Sequence, residues 1–339
     1  MTTAQAPAEP AIRWGWSAAL RGAVLAVPAA GVAPHDPQQA ALLAIGLVPA
    51  ASVPLPPTRR GRLKPALLGA MAGASMVVGG VLAVWPPLAV VGIFVLAVLA
   101  ARAAAGRPLG AVALSLCLPL VGIGFSFSDV GTAVGLALVI CLGSAYGLVV
   151  SLLWPAGRTV VLPAVYVPPP RQLMVRFGYQ AGTAGAICAA LGFALDLEHV
   201  GWATGAALLV MRPAPRLQEY RSVARVVDVV VGASIAILLV TSDPPAWVWS
   251  VAVTLAVVCV TATAGSRWYV MPAFTTFLVF VMLLVDDPGD ARSRFWERTL
   301  ETALGVAVAA AITLLALRPW RRAAPVSPES DQGARRPAA

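Results

Sequence analysis

Two pairs of opposite charges stand three residues apart within otherwise apolar stretches, Arg225 with Asp228 and Arg298 with Glu301. That spacing places both members on one face of a helix, so each pair reads as a possible ion pair. A carboxylate one or two turns inside a membrane is costly unless paired or wetted, which makes Asp228 and Glu301 candidate proton carriers or substrate contacts. The plainer alternative is a helix-end salt bridge that locks the bundle. Gly232 and Gly305 follow the two acids and would let neighbouring helices approach closely.

Three further residues invite a chemical reading. Arg21 is the one basic residue inside an apolar span, seven positions beyond Trp14 and so about 10 Å deep. Facing a cavity, its planar donors would suit a carboxylate; otherwise it snorkels to the headgroups. His35 and His199 lie beside Asp36 and Glu198 just before two spans, where an imidazole would serve as an outward pH sensor or stay merely solvated. Neither a phosphate loop nor a Ser/His/Asp arrangement occurs, so the sequence predicts no enzyme and requires no cofactor. Cys117, Cys141, Cys188 and Cys259 lack metal spacing and read as small packing residues, so no metal is expected.

The elements that must position these residues are membrane helices. Hydrophobic residues make up 59% of the chain and charged ones 12%, against roughly a quarter charged in a soluble domain. Twelve continuous apolar runs are predicted as helices over about 14–32, 38–55, 65–85, 87–104, 108–125 and 131–154, then 173–194, 200–215, 224–241, 245–264, 267–285 and 297–317. Pro49 and Pro213 leave the second and eighth the least regular. Pro28, Pro119 and Pro272 could also bend their helices.

Net charge +9 could point to nucleic acid, but the placement of the basic residues points to topology. With both termini cytoplasmic, 20 of the 24 Lys and Arg residues fall in inner loops and tails, as the positive-inside rule requires. No signal peptide is predicted. All ten tryptophans lie near span ends, as headgroup anchors do. Glycine pairs spaced by four, such as Gly69/Gly73, Gly131/Gly135, Gly143/Gly147, Gly178/Gly182 and Gly201/Gly205, read as helix-packing seams.

The chain also repeats itself. Arg13-Trp14-Gly15-Trp16-Ser17-Ala18 is echoed by Arg176-Phe177-Gly178-Tyr179-Gln180-Ala181 at an offset of 163, and Pro86-Pro87 by Pro244-Pro245 at an offset of 158. This divides the protein into a tail (1–12), a first six-helix repeat (13–155), a Pro-rich linker (156–172), a second repeat (173–320) and a basic tail (321–339). Six spans per half set the symmetry axis along the membrane normal. The acidic function does not carry across, because Arg62, the counterpart of Arg225, is followed by Pro65. Ala184 likewise stands near the counterpart of Arg21. In this topology Arg225 opens its span from the inside and Arg298 from the outside, so either nested inverted repeats are present or one span is miscounted.

Over roughly 173–318, an Arg at the head of the first span, His199 and Trp202, Met211-Arg212-Pro213, Arg225-x2-Asp228-x3-Gly232 and Arg298-x2-Glu301-x3-Gly305 resemble the fusaric acid resistance protein-like family, which includes the aromatic acid exporters. The resemblance implies a bacterial inner-membrane protein exporting aromatic carboxylic acids at the expense of the proton gradient. It leads to an expected all-α integral membrane protein of about twelve spans in two tandem repeats. Arg21 is expected on the anion, and Asp228 and Glu301 on the proton. The expected partners are the lipid bilayer and a small organic anion, with no nucleic acid; a homo-oligomer is compatible with the sequence. The competing expectation is a non-transporting scaffold or regulator of cell-envelope machinery.

Overall fold

The computed structural model describes residues 12–56, 58–127, 129–155, 168–264, 266 and 270–322, the last six as backbone alone. Most of both expected tails, linker residues 156–167, and Arg267 and Trp268 lie outside the described residues. Twelve α-helices form among the described residues: α1 (Trp16–Val32), α2 (Pro37–Ala51), α3 (Lys64–Ala83), α4 (Pro86–Ala104), α5 (Pro108–Gly124), α6 (Val130–Leu153), α7 (Arg171–Ala194), α8 (Val200–Val210), α9 (Pro215–Thr241), α10 (Ala246–Ala262), α11 (Met271–Leu284) and α12 (Ala291–Arg322). Local sequence sets their ends. Prolines, which lack an N–H, occupy the first turn of α2, α4, α5, α9 and α11. Asp36 caps α2 by accepting from the Gln39 amide at 2.8 Å, and Asp129 caps α6 by accepting from the Thr132 amide at 2.8 Å. The same Thr132 hydroxyl and amide donors hold the Asp129 carboxyl below the usual carboxylate range.

Five helices, α3, α4, α6, α9 and α12, are long and apolar enough to cross a membrane. Others are shorter than the runs that predict them. The 11-residue α8 spans about 17 Å, little more than half a hydrocarbon core of about 30 Å. Nearly all its residues are buried against α5, α7, α9 and α12, as befits a helix apolar all round. In α5, residues Ala113–Cys117 form a π turn. Its cause is Pro119, which lacks an N–H and whose ring would press on the Ser115 carbonyl in a regular helix.

Exposed surface is aliphatic along the helices, with Leu20, Val91, Leu142, Leu238, Leu255 and Leu314 pointing outward, while the interior is built largely from alanine and glycine. Such small residues allow the close backbone approach on which helix association in lipid depends. This is the architecture of a multi-pass membrane protein. A Cβ on Gly69 would stand 2.2 Å from Ser144 Cβ, and one on Gly143 would stand 2.5 Å from the Gly46 carbonyl carbon. The Gly131/Gly135 pair departs from the packing expectation: Gly131 faces its own cap, Asp129, and a Cβ on Gly135 would meet nothing within 4 Å.

Packing partners recur in the two halves of the chain. Helix α1 packs on α10 as α7 packs on α4; α2 packs on α11 as α8 packs on α5; within the halves, α3 meets α6 and α5 as α9 meets α12 and α11.

The buried Arg62, just before α3, anchors the end of α6. Its Nη1 donates to the carbonyls of Ser151 and Trp154, the latter at 2.7 Å, and its Nε donates to Pro56 O at 3.4 Å. A guanidinium there satisfies carbonyls the helix end leaves over and complements its negative pole. Arg62→Ala is expected to cost about 2 kcal/mol or more, read as a lower melting temperature of the detergent-solubilised protein. Arg62→Lys, lacking the planar fork, recovers only part of it.

The span expected at 224–241 is corrected. Helix α9 starts at Pro215 and runs for 27 residues, because Arg216, Glu219 and Arg221 interrupt hydropathy without interrupting helical hydrogen bonding. Arg225 therefore does not open its helix, and Asp228 lies at its midpoint.

Candidate functional site

Helices α9 and α12 pack on each other, and their charged faces meet. Arg225, Asp228, Arg298 and Glu301 are all nearly inaccessible, at 5%, 7%, 6% and 4% exposure. The two pairs, separate in sequence, form one cluster: Arg298 lies within electrostatic reach of Arg225 as well as of Glu301 and Glu297. With Asp228 some twenty ångströms along α9, at about 1.5 Å per residue, the pairs meet although their helices are entered at different depths.

The expected ion pairs within each helix do not close. No salt bridge joins Arg225 to Asp228 or Arg298 to Glu301 among the described residues. Both Glu301 oxygens, Asp228 Oδ2, Arg225 Nε and Arg298 Nε and Nη1 are buried without a hydrogen-bond partner. The hydroxyls of Thr276 on α11 and of Thr299 and Thr302 on α12 are in the same condition. An unsatisfied buried polar group costs roughly 1–3 kcal/mol, more if charged. A simple structural lock would close its own pairs.

Glycines bring the backbones together around it. A Cβ on Gly305 of α12 would stand 2.2 Å from the Ala203 carbonyl of α8, and one on Gly232 of α9 would stand 2.4 Å from the Ala273 carbonyl of α11. The expected close approach at both positions is present. Gln218 ties α9 to α12 by donating from Nε2 to Ala309 O at 3.0 Å and accepting from the Thr313 hydroxyl at 3.0 Å.

One end of the cluster is covered by an aromatic stack. The Arg298 guanidinium lies 4.1 Å from the centre of the Trp202 ring, a cation–π contact. The His199 ring stacks on the same indole at 3.9 Å between centroids. His199 Nδ1 donates to Glu297 at 2.8 Å, and Arg294 bridges Glu297 and Glu198. Salt-bridged to Arg294, the Glu198 carboxyl is held below the usual range. A chain of titratable and charged side chains thus runs from Glu198 at the α7–α8 turn to the buried cluster. Glu198, His199 and Glu297 present donor atoms within 4.8 Å of one another, but Arg294 already serves both carboxylates.

Two expectations change here. Trp202 and Trp249 are buried, at 5% and 9% exposure, and so are not headgroup anchors, whereas Trp16, Trp85 and Trp247 are exposed as anchors should be. The histidines also part company. His35 is exposed beside the capping Asp36, while His199 is engaged with Trp202 and Glu297. Sequence reasoning missed Glu297 and Trp202 as site residues. The available signal was that Glu297 falls one turn before Glu301 on the same helical face.

Arg21 stands apart from this cluster. It is buried on α1, its Nη2 donates to Val53 O at 2.9 Å just past α2, and its Nε has no partner. It lines a cavity of about 360 Å³ with Trp14, Ser17, Leu55, Trp154 and Thr261. The guanidinium is anchored at one edge by a carbonyl just past the end of α2.

Comparison with known proteins finds no match among curated proteins and none among solved structures. Residues 187–312 do match a family model, and they hold the whole cluster and its aromatic cover but not Arg21. That family is described as fusaric acid resistance protein-like, so the resemblance read from the motifs is borne out over residues 187–312.

Proposed function

We propose that the protein is a secondary transporter of the bacterial cytoplasmic membrane, with both termini inside, that exports small amphipathic organic anions such as aromatic carboxylic acids in exchange for protons. The observation that carries this reading is the buried cluster of Arg225, Asp228, Arg298 and Glu301, in which both Glu301 oxygens, Asp228 Oδ2, Arg225 Nε and Arg298 Nε and Nη1 have no hydrogen-bond partner inside a membrane bundle. Carboxylates in that setting carry protons or ions by default. Asp228 and Glu301 are the proton carriers in this reading, and the chain through Trp202, His199 and Glu297 connects them to the outer face. Arg21, in its own cavity, is the anion contact.

Alternating access needs two bodies that rock against each other. The reciprocal helix contacts support reading α1–α6 and α7–α12 as tandem repeats. The matched family's description names resistance to an acid, which export would provide. The protein acts on its substrate by moving it, with no chemical conversion and no cofactor.

The test is flux. Purified protein in liposomes with an imposed pH gradient is expected to move at least one member of a panel of radiolabelled aromatic carboxylates, and collapsing the gradient with a protonophore is expected to stop net accumulation. A folded protein that moves none of a broad panel would turn the reading toward a scaffold of envelope machinery, which capture of one stoichiometric partner in mild detergent would then identify.

A further inference from the structure

The halves of the chain meet along two seams, α1 against α10 and α7 against α4, and each seam contains a cavity. One, of about 360 Å³, has Trp14, Ala18 and Ala262 in its wall; the other, of about 250 Å³, has Phe177, Ala181 and Ala104. These are the same positions in the two halves, since Trp14 and Ala18 precede Phe177 and Ala181 by 163 residues, and Ala104 precedes Ala262 by 158. Each cavity is walled by an aromatic ring and alanine methyls, and each contains a guanidinium close to the end of its half's second helix. In the first that group is Arg21, donating to Val53 O beyond α2. In the second it is Arg212, donating to Met211 O beyond α8.

The basic residue has changed its point of attachment but kept its place. Ala184, the counterpart of Arg21, is a buried alanine, and the second cavity takes its positive charge from Arg212 on the neighbouring helix end. Arg13 lines the first cavity together with Arg21, whereas Arg212 is the one basic residue among the described residues lining the second, so both equivalent cavities hold a guanidinium that reaches them from different positions. Leu114 and Ser115 in the wall of the second cavity belong to the π turn that Pro119 imposes on α5, which sets the shape of that wall.

We propose that these are twin binding sites, one per seam, each taking a small amphipathic monoanion whose charge meets Arg21 or Arg212 and whose apolar body lies against the ring of Trp14 or Phe177. This deepens the transport reading and rests on it for the ligand's role, though not for its binding. A free organic acid and an anionic lipid share the required chemistry. The seams are where two rocking halves would open, so occupancy there couples ligand to conformation.

The full-length protein in phosphatidylcholine nanodiscs, titrated with radiolabelled 4-bromobenzoate, is expected to bind two equivalents per chain. The bromine quenches tryptophan, and among the described residues only the first cavity has tryptophan in its wall, Trp14 and Trp154. Arg212→Gln is expected to leave one equivalent with quenching intact; Arg21→Gln is expected to leave one equivalent with quenching lost. Ala181→Leu, which fills the second cavity without touching charge, should match Arg212→Gln and guards against a merely unfolded variant.

A stoichiometry unaltered by both Arg212→Gln and Ala181→Leu overturns the second site, and failure of 4-bromobenzoate to bind overturns both. Displacement of the probe from both sites by phosphatidylglycerol in the disc supports the sites and assigns them to lipid. Two bound equivalents without flux in liposomes would retain the sites and remove the transport reading, whereas flux without seam binding would do the reverse.

Discussion

Asp228→Asn is expected to abolish gradient-driven accumulation while leaving the protein folded and inserted. The asparagine keeps the shape of the side chain but cannot exchange a proton. Moving one charge through 100 mV is worth about 2.3 kcal/mol, and each 1.4 kcal/mol is a factor of ten. One coupled charge therefore sustains roughly a 40-fold concentration ratio, and losing it should bring the ratio to unity. Removing this charge leaves two buried guanidinia to one carboxylate and so lowers the melting temperature. The asparagine nevertheless keeps the side chain polar and of the same shape, and Asp228 Oδ2 has no hydrogen bond to lose, so the variant is expected to fold and its melting is measured beside its flux. Downhill counterflow of labelled against unlabelled substrate should persist, since exchange needs no net proton movement. Glu301→Gln, tested the same way, tells whether one carboxylate or both carry the proton. Wild-type accumulation in Asp228→Asn, measured in liposomes with a set pH difference, would remove Asp228 from the coupling path.

The helices were legible because membrane-spanning segments announce themselves by continuous apolarity, and all twelve predicted runs overlap the observed helices. What hydropathy misplaced was the start of α9. Its first three turns are polar, so a hydropathy window begins the span where charge stops, at 224, while Pro215 marks the true start. That shift moves Arg225 from the head of its helix to its interior. The four charged residues of the site were legible one pair at a time through their spacing, but their convergence was not, because contact between α9 and α12 is a property of packing.

Trp202 was misread for a related reason. Ten tryptophans near span ends suit the headgroup layer, and position along a helix does not reveal which face a ring occupies. Burial of α8 on nearly all sides turns Trp202 inward onto Arg298. The twin cavities were half legible. The offset of 163 was visible in the sequence, but Arg212 could not be matched to Arg21, because the charge enters the equivalent space from a different helix.

Replacing Arg298 by methionine is expected to destabilise the protein strongly, and replacing Arg298 and Glu301 together by methionine and leucine is expected to restore most of that stability without restoring transport. The argument is one of charge balance. The cluster holds two cations and two anions, Arg225 and Arg298 with Asp228 and Glu301, all buried. Removing Arg298 alone leaves two carboxylates to one guanidinium, and stranding a buried charge costs about 3–5 kcal/mol. Removing both members leaves Arg225 and Asp228 in balance, and apolar replacements of similar size for buried ionic groups are often neutral or stabilising. The thioether introduced by Arg298→Met would also lie against the Trp202 ring, a favourable contact. If the cluster only fastened α9 to α12, a double variant with near wild-type melting temperature would transport normally. If the charges do the work of transport, thermal melting recovers while flux stays at the level of empty liposomes. Measuring both on the same preparation separates the two readings, since each gives the same stability and the opposite flux.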